Sequence, residues 1–400
     1  MIKEVKKGNT LLVRGPTRVE VLEGIVEIFG KDISNENKNN ILIIPSATRY
    51  PLYAIKDLKL EIIANNPEEN LEQIKTNSIS KEWEVIKDTI LNDISNNNES
   101  PPVKIMTLGI SSGKTAIIKY IANNLIKKGF KGGYLDSDLG QQMMFLPTTI
   151  NIGEIKESII SGEDIQPEIT QFIGTTFPKG NLKYIVSHLC KDLIENYLKK
   201  HKDSDFILID SDGWIKTEAG IIYKNFFIDA VDPDFVLLFQ DEEIEELKEI
   251  EKHAKSKKRR KILTIKESNN FFYERSKEER RFLRQSQFSK ILEEYRKMTI
   301  PLDSIKFVKY DYDEEEDKIL ETEINPEELK RLPYHYVIIA LLTARSKLIK
   351  IGLLFSINLE KDYILLFSDL SYKEQIKVKK ILIGSLRLST KGNHQGYLYL

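Results

Sequence analysis

The chain has 400 residues, 41% of them hydrophobic and 30% charged, with a formal net charge of −1. That length supports two or three domains with cores of their own, and the neutral balance excludes a global basic footprint, so nucleic acid must meet a local patch. A single cysteine, Cys190, excludes an internal disulfide and a cysteine-based zinc site, and the five histidines show no ligand spacing. The opening MIKEVKKGNTLLVRG lacks a signal-peptide core and no run reaches the roughly 18 apolar residues of a bilayer span, so the expectation is a cytoplasmic protein with no membrane partner.

Residues 8–65 read as β structure. Short apolar segments (TLLVRG, VEVLEGIVEIFG, NILIIP, LKLEII) are separated by Gly, Pro and Asn, which sets an N-terminal β domain over 1–66, a small sandwich or barrel. Residues 67–100 form a helical linker with one helix over 80–94; Ser80 is its N-cap, and Trp83, Ile86, Ile90 and Leu91 share a face. NNNESPP marks a boundary. From Val103 the pattern becomes strand–helix alternation. VKIMTLG is a strand buried on both faces, followed by a helix over 114–128 that Gly129 stops. KGGYLDSD, DFILIDSDG, DFVLLFQ and RKILTI are further strands. They alternate with LKYIVSHLCKDLIENYLKKH, a long amphipathic helix with Cys190 on its buried face, and with a helix over 217–231.

This order is α/β: a central P-loop domain over 101–300 with a mostly parallel sheet, flanked by smaller N-terminal and C-terminal β domains. Ligands belong at the carboxyl ends of its strands. Residues 274–297 read as a charged helix and Asp313–Asp317 as a solvated acidic loop. The run 257-KKRRK-261 is either a solvated turn before a strand or a basic contact surface. Residues 301–400 are β-rich, with VIIALLTA, LIKIGLLFSI and DYILLFS as strands.

Four clusters carry chemistry. The first, 107-TLGISSGKTAII-118, sits between a buried strand and a helix. Backbone N–H groups and the helix dipole favour phosphate there. Gly109, Ile110, Ser111, Ser112, Gly113, Lys114, Thr115 and Ala116 form an ATP-binding loop, with Lys114 reaching the β- and γ-phosphates and Thr115 a Mg²⁺. The loop is one residue shorter than G-x-x-x-x-G-K-[ST]. The second, 134-YLDSDLGQQ-142, ends a strand with Asp136 and Asp138, where a carboxylate can orient metal or accept a proton. The third, 207-ILIDSDGW-214, has the form of a Walker-B strand, with Asp210 or Asp212 near the metal; Trp214 is either core or a base-stacking platform. The fourth, 274-ERSKEERRFLRQSQF-288, spaces Arg275, Arg280 and Arg284 so that the last two share a helix face. They are either transition-state cations or members of a salt-bridged surface helix.

Together these clusters resemble the polynucleotide 5′-hydroxyl kinases, the family of the pre-mRNA cleavage-complex kinase subunit and the nucleolar rRNA-processing kinase, with archaeal relatives. GNTLLVRGPTRVEVLEGIVEIFG resembles the family's leading β domain, LDSDLGQ its D-x-D-x-G-Q element, IGTTFPKGN its Thr-rich substrate loop, IDSDGW its D-x-x-G-W segment and RSKEERRFLR its arginine lid. The resemblance implies transfer of the ATP γ-phosphate to a 5′-hydroxyl of RNA or DNA in RNA processing, with a nuclease as possible partner. It implies Asp138 as general base and, with Thr115 and Asp210, as Mg²⁺ organiser. It makes Lys114 and the arginines Arg275, Arg280 and Arg284 catalytic, and sets Gln141, Thr175, Thr176 and Trp214 along the acceptor strand. The family pattern G-P-x-x-S-G-K-[ST] departs here to G-I-S-S-G-K-T, which keeps open a non-catalytic ATP-binding scaffold. A P-loop switch acting on protein partners is the other alternative, and it leaves Trp214 and the lid without a role.

Overall fold

A computed structural model describes residues 1–36, 39–96, 102–110, 113–240, 244–266, 269 and 271–400. The N-terminal part is a sandwich of two antiparallel sheets. One orders the strands Ile2–Val5, Leu58–Ala64, Thr17–Glu23 and Ile41–Ile44; the other orders Lys31–Ser34, Ile25–Ile28, Arg49–Ala54, Thr10–Arg14 and Leu71–Ile74. Period-two burial explains the pairing: Thr17, Val19 and Val21 point inward while Arg18 and Glu20 stay at the surface. Leu71–Ile74, expected inside the helical linker, is instead an edge strand on Thr10–Arg14, with Val13 opposite Leu71. Only the four residues Pro67–Asn70 form a helix before it.

The linker helix proper is Lys81–Ser95. Ser80 caps it, its side chain accepting from Trp83 N, and Trp83, Ile86, Ile90 and Ile94 are buried. Trp83 stands among Tyr120, Phe239 and Phe271 at ring distances of 5.6–6.4 Å. Asn123, fully buried on the helix Lys114–Lys127, donates to Phe29 O and Ile159 O at 2.8 Å each and accepts from Ile159 N at 2.7 Å. One amide thus ties the sandwich to the central domain.

The central sheet has seven strands in the order Ile169–Phe172, Thr149–Glu154, Gly132–Asp136, Phe206–Asp210, Val103–Leu108, Phe235–Phe239 and Lys261–Ile265. The last five run parallel, Thr149–Glu154 runs against them and Ile169–Phe172 pairs antiparallel to Thr149–Glu154, so the sheet is mostly parallel. The two strands paired this way were not singled out from sequence: TINIGE and ITQF are short and carry only two large apolar side chains each. Helix Leu182–Lys200 covers the sheet with Cys190 fully buried.

The C-terminal sheet has eight strands, from Arg296–Pro301 at one edge to Lys318–Ile324 at the other, with His394–Tyr397 paired to Lys380–Leu388. It begins before residue 301, because the charged helix is only Lys277–Leu292, shorter than 274–297. Phe288 and Leu292 of this helix share a buried cluster with Leu146, Phe172 and the sheet residues Ile338, Leu353 and Leu386. The acidic run is a hairpin turn docked on the central domain rather than a free loop. Asp317 lies 2.9 Å from His188 Nε2, and Tyr312 stacks on Tyr184 at 4.8 Å. The basic run finds acidic partners within the chain: Lys257, Arg259 and Arg260 pair with Asp232, Arg259 also with Asp234, and Lys261 with Asp93. Residues 257–259 form an exposed turn before the strand Lys261–Ile265, with part of their charge offset by these neighbours. No described helix is long and apolar enough to cross a membrane.

Candidate active site

Strand register builds the site. In the parallel pair Gly132–Asp136 and Phe206–Asp210, Asp136 lies opposite Asp210, so both carboxylates reach the same carboxyl edge. The neighbouring strand ends in Thr107–Leu108, and the turn to helix Lys114–Lys127 follows. Gly113 starts that helix at φ 87°, a left-handed conformation that favours glycine. The nearest atoms to a Cβ on it would be in the rings of Phe272, Phe239 and Trp83 at 3.9–4.0 Å, so the linker helix and these aromatic rings back the loop. Ser111 and Ser112 lie outside the described residues. Gly109 and Ile110 form the entry, Ile110 packing on the core beneath, and Ala116 N closes the first turn on Gly113 O at 2.9 Å.

Asp210, not Asp212, faces the loop. Its Oδ2 accepts from Thr115 Oγ1 at 2.7 Å and Tyr134 OH at 3.1 Å, and its Oδ1 from Thr107 Oγ1 at 3.2 Å. Asp212 serves the turn instead. Its Oδ1 accepts from Trp214 N at 2.8 Å and lies 3.0 Å from the fully buried Lys224 Nζ. Gly213 between them lets the turn approach the loop; a Cβ there would stand 3.5 Å from Gly109 O and 3.7 Å from Lys114 Nζ. Lys114 Nζ donates to Gly109 O at 2.6 Å. Burial holds its pKa below the ordinary value, against the pull of Asp210 and Asp138.

Asp136 and Asp138 divide their work. Asp136 is buried, accepts from Met143 N at 2.6 Å and Asp138 N at 3.2 Å, and shapes the turn. Burial first and Asp210 second push its pKa well above the carboxylate range. Asp138 Oδ1 accepts from Gly140 N and Gln141 N, both at 2.9 Å. Burial and Asp212 raise its pKa, and those two N–H bonds and Lys114 oppose the rise. Thr115, Asp210 and Asp138 offer hard oxygen donors of the kind a Mg²⁺ takes.

The lid helix crosses above this edge. Gln141 Nε2 reaches Arg280 O at 3.5 Å, and Gln287 Nε2 donates to Gln142 O at 2.7 Å. Arg275 is tied to the N-terminal sandwich, its Nε donating to Ala47 O at 2.8 Å, while its charge still feels Asp138. It anchors the lid. Arg284 sits over Asp138, since a Cβ on Gly140 would lie 3.5 Å from Asp138 Oδ1 and 4.0 Å from Arg284 Nη1. Thr175, set along the acceptor path by its motif, is buried at 3% exposure because its loop tucks under the C-terminal sheet. Thr176 is the threonine that faces outward, its Oγ1 2.7 Å from Tyr397 OH. Trp214 is both core and rim: it packs on the central core, tilts against Tyr223 at 5.8 Å and meets the half-exposed Phe177 edge-on at 6.4 Å.

Sequence reasoning missed Thr107, Tyr134 and Lys224. Aligning the ends of the three central strands would have found the first two. Nothing marks Lys224 in the helix EAGIIYKNFFIDAV except that it is the one basic residue there.

A family model described as mRNA cleavage and polyadenylation factor CLP1 P-loop matches residues 109–294. A polyribonucleotide 5′-hydroxyl-kinase of Pyrococcus furiosus is 32% identical over 228 residues, 55% of this chain and 61% of that protein. The match thus spans less than two thirds of that relative. A polyribonucleotide 5′-hydroxyl-kinase of Methanocaldococcus jannaschii is 25% identical over 338 residues, 74% of this chain and 90% of that one. Among solved structures, the wild-type Clp1p–Pcf11p (454–563) complex contains a chain of the same fold, with a TM-score of 0.72 at 14% identity over 97% of each chain. Motifs, fold and relatives agree: residues 109–294 match the CLP1 P-loop model, and the archaeal proteins to which the chain is similar are named polyribonucleotide 5′-hydroxyl-kinases.

Proposed function

We propose that the protein is an ATP-dependent polynucleotide kinase that moves the γ-phosphate of ATP to the 5′-hydroxyl of an RNA or DNA end. The observation that carries this reading is the meeting of Thr115 with Asp210, at 2.7 Å, on the same strand edge as Asp138 and beneath the lid helix. A P-loop ATPase needs only the first pair. A carboxylate whose one oxygen is held by two backbone N–H groups offers, in addition, its other oxygen as a seat for an acceptor hydroxyl.

In this reading Lys114 and the backbone of the helix start hold the triphosphate. Thr115 and Asp210, with Asp138 alongside, would hold a Mg²⁺, which would supply positive charge against the triphosphate. Asp138 accepts the proton of the 5′-hydroxyl as its oxygen bonds to the γ-phosphorus. The bond from that phosphorus to the bridging oxygen breaks and ADP leaves. Arg280 and Arg284 face the transferring group, and Arg275 fixes their helix. Gln141 holds the helix above Asp138, Trp214 stacks a base, and Thr176 lines the acceptor path. The ion pairs of Lys257, Arg259 and Arg260 with Asp232 offset part of the basic run on which a scaffold reading relied. The buried lone cysteine suits a reducing cytoplasm, and a nuclease that leaves 5′-hydroxyl ends is the fitting partner in RNA processing.

The test is transfer of labelled γ-phosphate from ATP to a short 5′-hydroxyl RNA with Mg²⁺, beside Lys114→Ala and Asp138→Asn. Wild-type transfer is expected, and Asp138→Asn should lower it by roughly 10²–10⁴-fold while ATP still binds. ATP binding without any wild-type transfer, over a range of temperatures, would sink the enzyme reading and leave a scaffold.

A further inference from the structure

Between the lid helix and the strand His394–Tyr397 lies a cavity of about 190 Å³. Its polar lining is Arg281, Arg284, Gln285, Thr176, His394 and Tyr397, with no carboxylate among its walls. Arg281 and Arg284, three apart on one helix face, form no ion pair among the described residues. Two like charges facing one space repel each other, and a bound anion relieves this. Burial, then Arg281 and Arg284, hold the His394 imidazole below its ordinary 6.5, which leaves a neutral ring with one N–H to donate.

The cavity adjoins the reacting edge. A Cβ on Gly140 would stand 3.0 Å from Thr176 O, 3.5 Å from Asp138 Oδ1 and 4.0 Å from Arg284 Nη1, so only a glycine separates the general base from the cavity wall. Aromatic rings lead along the same rim: Trp214 to Phe177 at 6.4 Å, Phe177 to Tyr397 at 6.1 Å and Tyr397 to His394 at 5.0 Å. Such a row of rings beside a cationic groove is how single strands are held without sequence preference.

We propose that this cavity is an acceptor clamp. Arg281 and His394, with Arg284, grip the first internucleotide phosphate, on the 3′ side of the nucleotide whose 5′-hydroxyl faces Asp138. The proposal rests on the kinase reading and deepens it. It makes the C-terminal strand half of the acceptor site, and it makes a 3′-phosphate the feature that separates a polynucleotide end from a free nucleoside.

Calorimetric titration of the full chain with adenosine 3′-monophosphate and with adenosine tests it without turnover. The wild type should prefer the 3′-phosphate by about tenfold. Arg281→Gln and His394→Gln should each erase most of that preference, Arg281→Lys should restore part of it, and ATP affinity should hold in all three. With a 5′-hydroxyl tetraribonucleotide, Arg281→Gln should also lower the slope of log affinity against log salt by about 0.7, one phosphate contact on a single strand. Equal wild-type affinity for the two probes, or a preference that survives both Gln variants, overturns the clamp. Transfer measured alongside separates the two readings. Preference without transfer removes the kinase and keeps the clamp; transfer without preference keeps the kinase and removes the clamp.

Discussion

Lys119 shows what the site's surroundings cost. It projects from the loop helix into the seam with the N-terminal sandwich, 7% exposed, with its ammonium 5.7 Å from the Phe29 ring and 5.8 Å from that of Tyr50. Burial, reinforced by Arg275, pushes its pKa down from 10.5 to about 8. A lysine whose folded pKa is depressed penalises folding fully below that value, and the penalty fades as pH rises from about 8 to 10.5. Lys119→Met should therefore be more stable than the wild type at pH 7 by about 3 kcal/mol, a gap that closes towards pH 10.5. Denaturant titrations of both proteins at pH 7 and pH 10 check this; a gap that stays constant with pH refutes it. The sequence marks Lys119 only as one more lysine in TAIIKYIANNL, because nothing local says that a second domain covers that helix face. Lys114, Thr115, Asp138 and Asp210 were legible for the opposite reason: each follows a buried apolar strand, and the ends of parallel strands converge.

At the scale of elements, the lid helix is held at both ends. Ser276 and Glu279 form a capping box, with Ser276 Oγ accepting from Glu279 N at 3.1 Å and Glu279 Oε2 accepting from Ser276 N at 2.9 Å. Glu279 Oε1 also bonds Tyr273 OH and, at 3.2 Å, Arg14 Nη2 of the sandwich. At the far end Ser289 Oγ donates to Lys391 O at 2.7 Å. Ser276→Ala should cost about 1 kcal/mol of cap energy. The amides of residues 279–284 should then exchange hydrogen roughly fivefold faster, with exchange in the central strands unchanged. Unaltered exchange in the lid would mean that the ties to Arg14 and Lys391 fix it without the cap. The interleaved charges made this helix readable from sequence. Its shorter end was not, since RKMTIP carries the same basic character and becomes a strand only by pairing with Tyr363–Ser368.

For the whole molecule, the decisive contact is between two glycines 210 residues apart in a 400-residue chain. Gly174 O, just before Thr175 and Thr176, accepts from Ser385 N at 2.8 Å and Leu386 N at 2.9 Å. A methyl on Gly384 would lie 2.7 Å from Gly174 Cα and 2.8 Å from both Gly174 O and Ile338 O, all backbone atoms that no rotamer change can clear. The substrate loop and the C-terminal sheet meet there only because neither partner has a side chain. No pattern in either segment announces the other, which is why His394 and Tyr397 could not be placed near the site from sequence, although the region that carries them was expected to be β-rich. Gly384→Ala should push the sheet off the loop at a cost of about 1–3 kcal/mol, seen as a lowered midpoint of thermal unfolding. The acceptor path should loosen with it. Affinity for a 5′-hydroxyl tetraribonucleotide should fall about tenfold, while ATP affinity holds, because Gly113, Lys114 and Thr115 rest on the linker helix and the central strands rather than on this sheet. Parallel loss of ATP affinity would show instead that the nucleotide loop depends on the C-terminal sheet. Unchanged RNA affinity in a destabilised protein would show that the sheet stabilises the central domain without shaping its acceptor side.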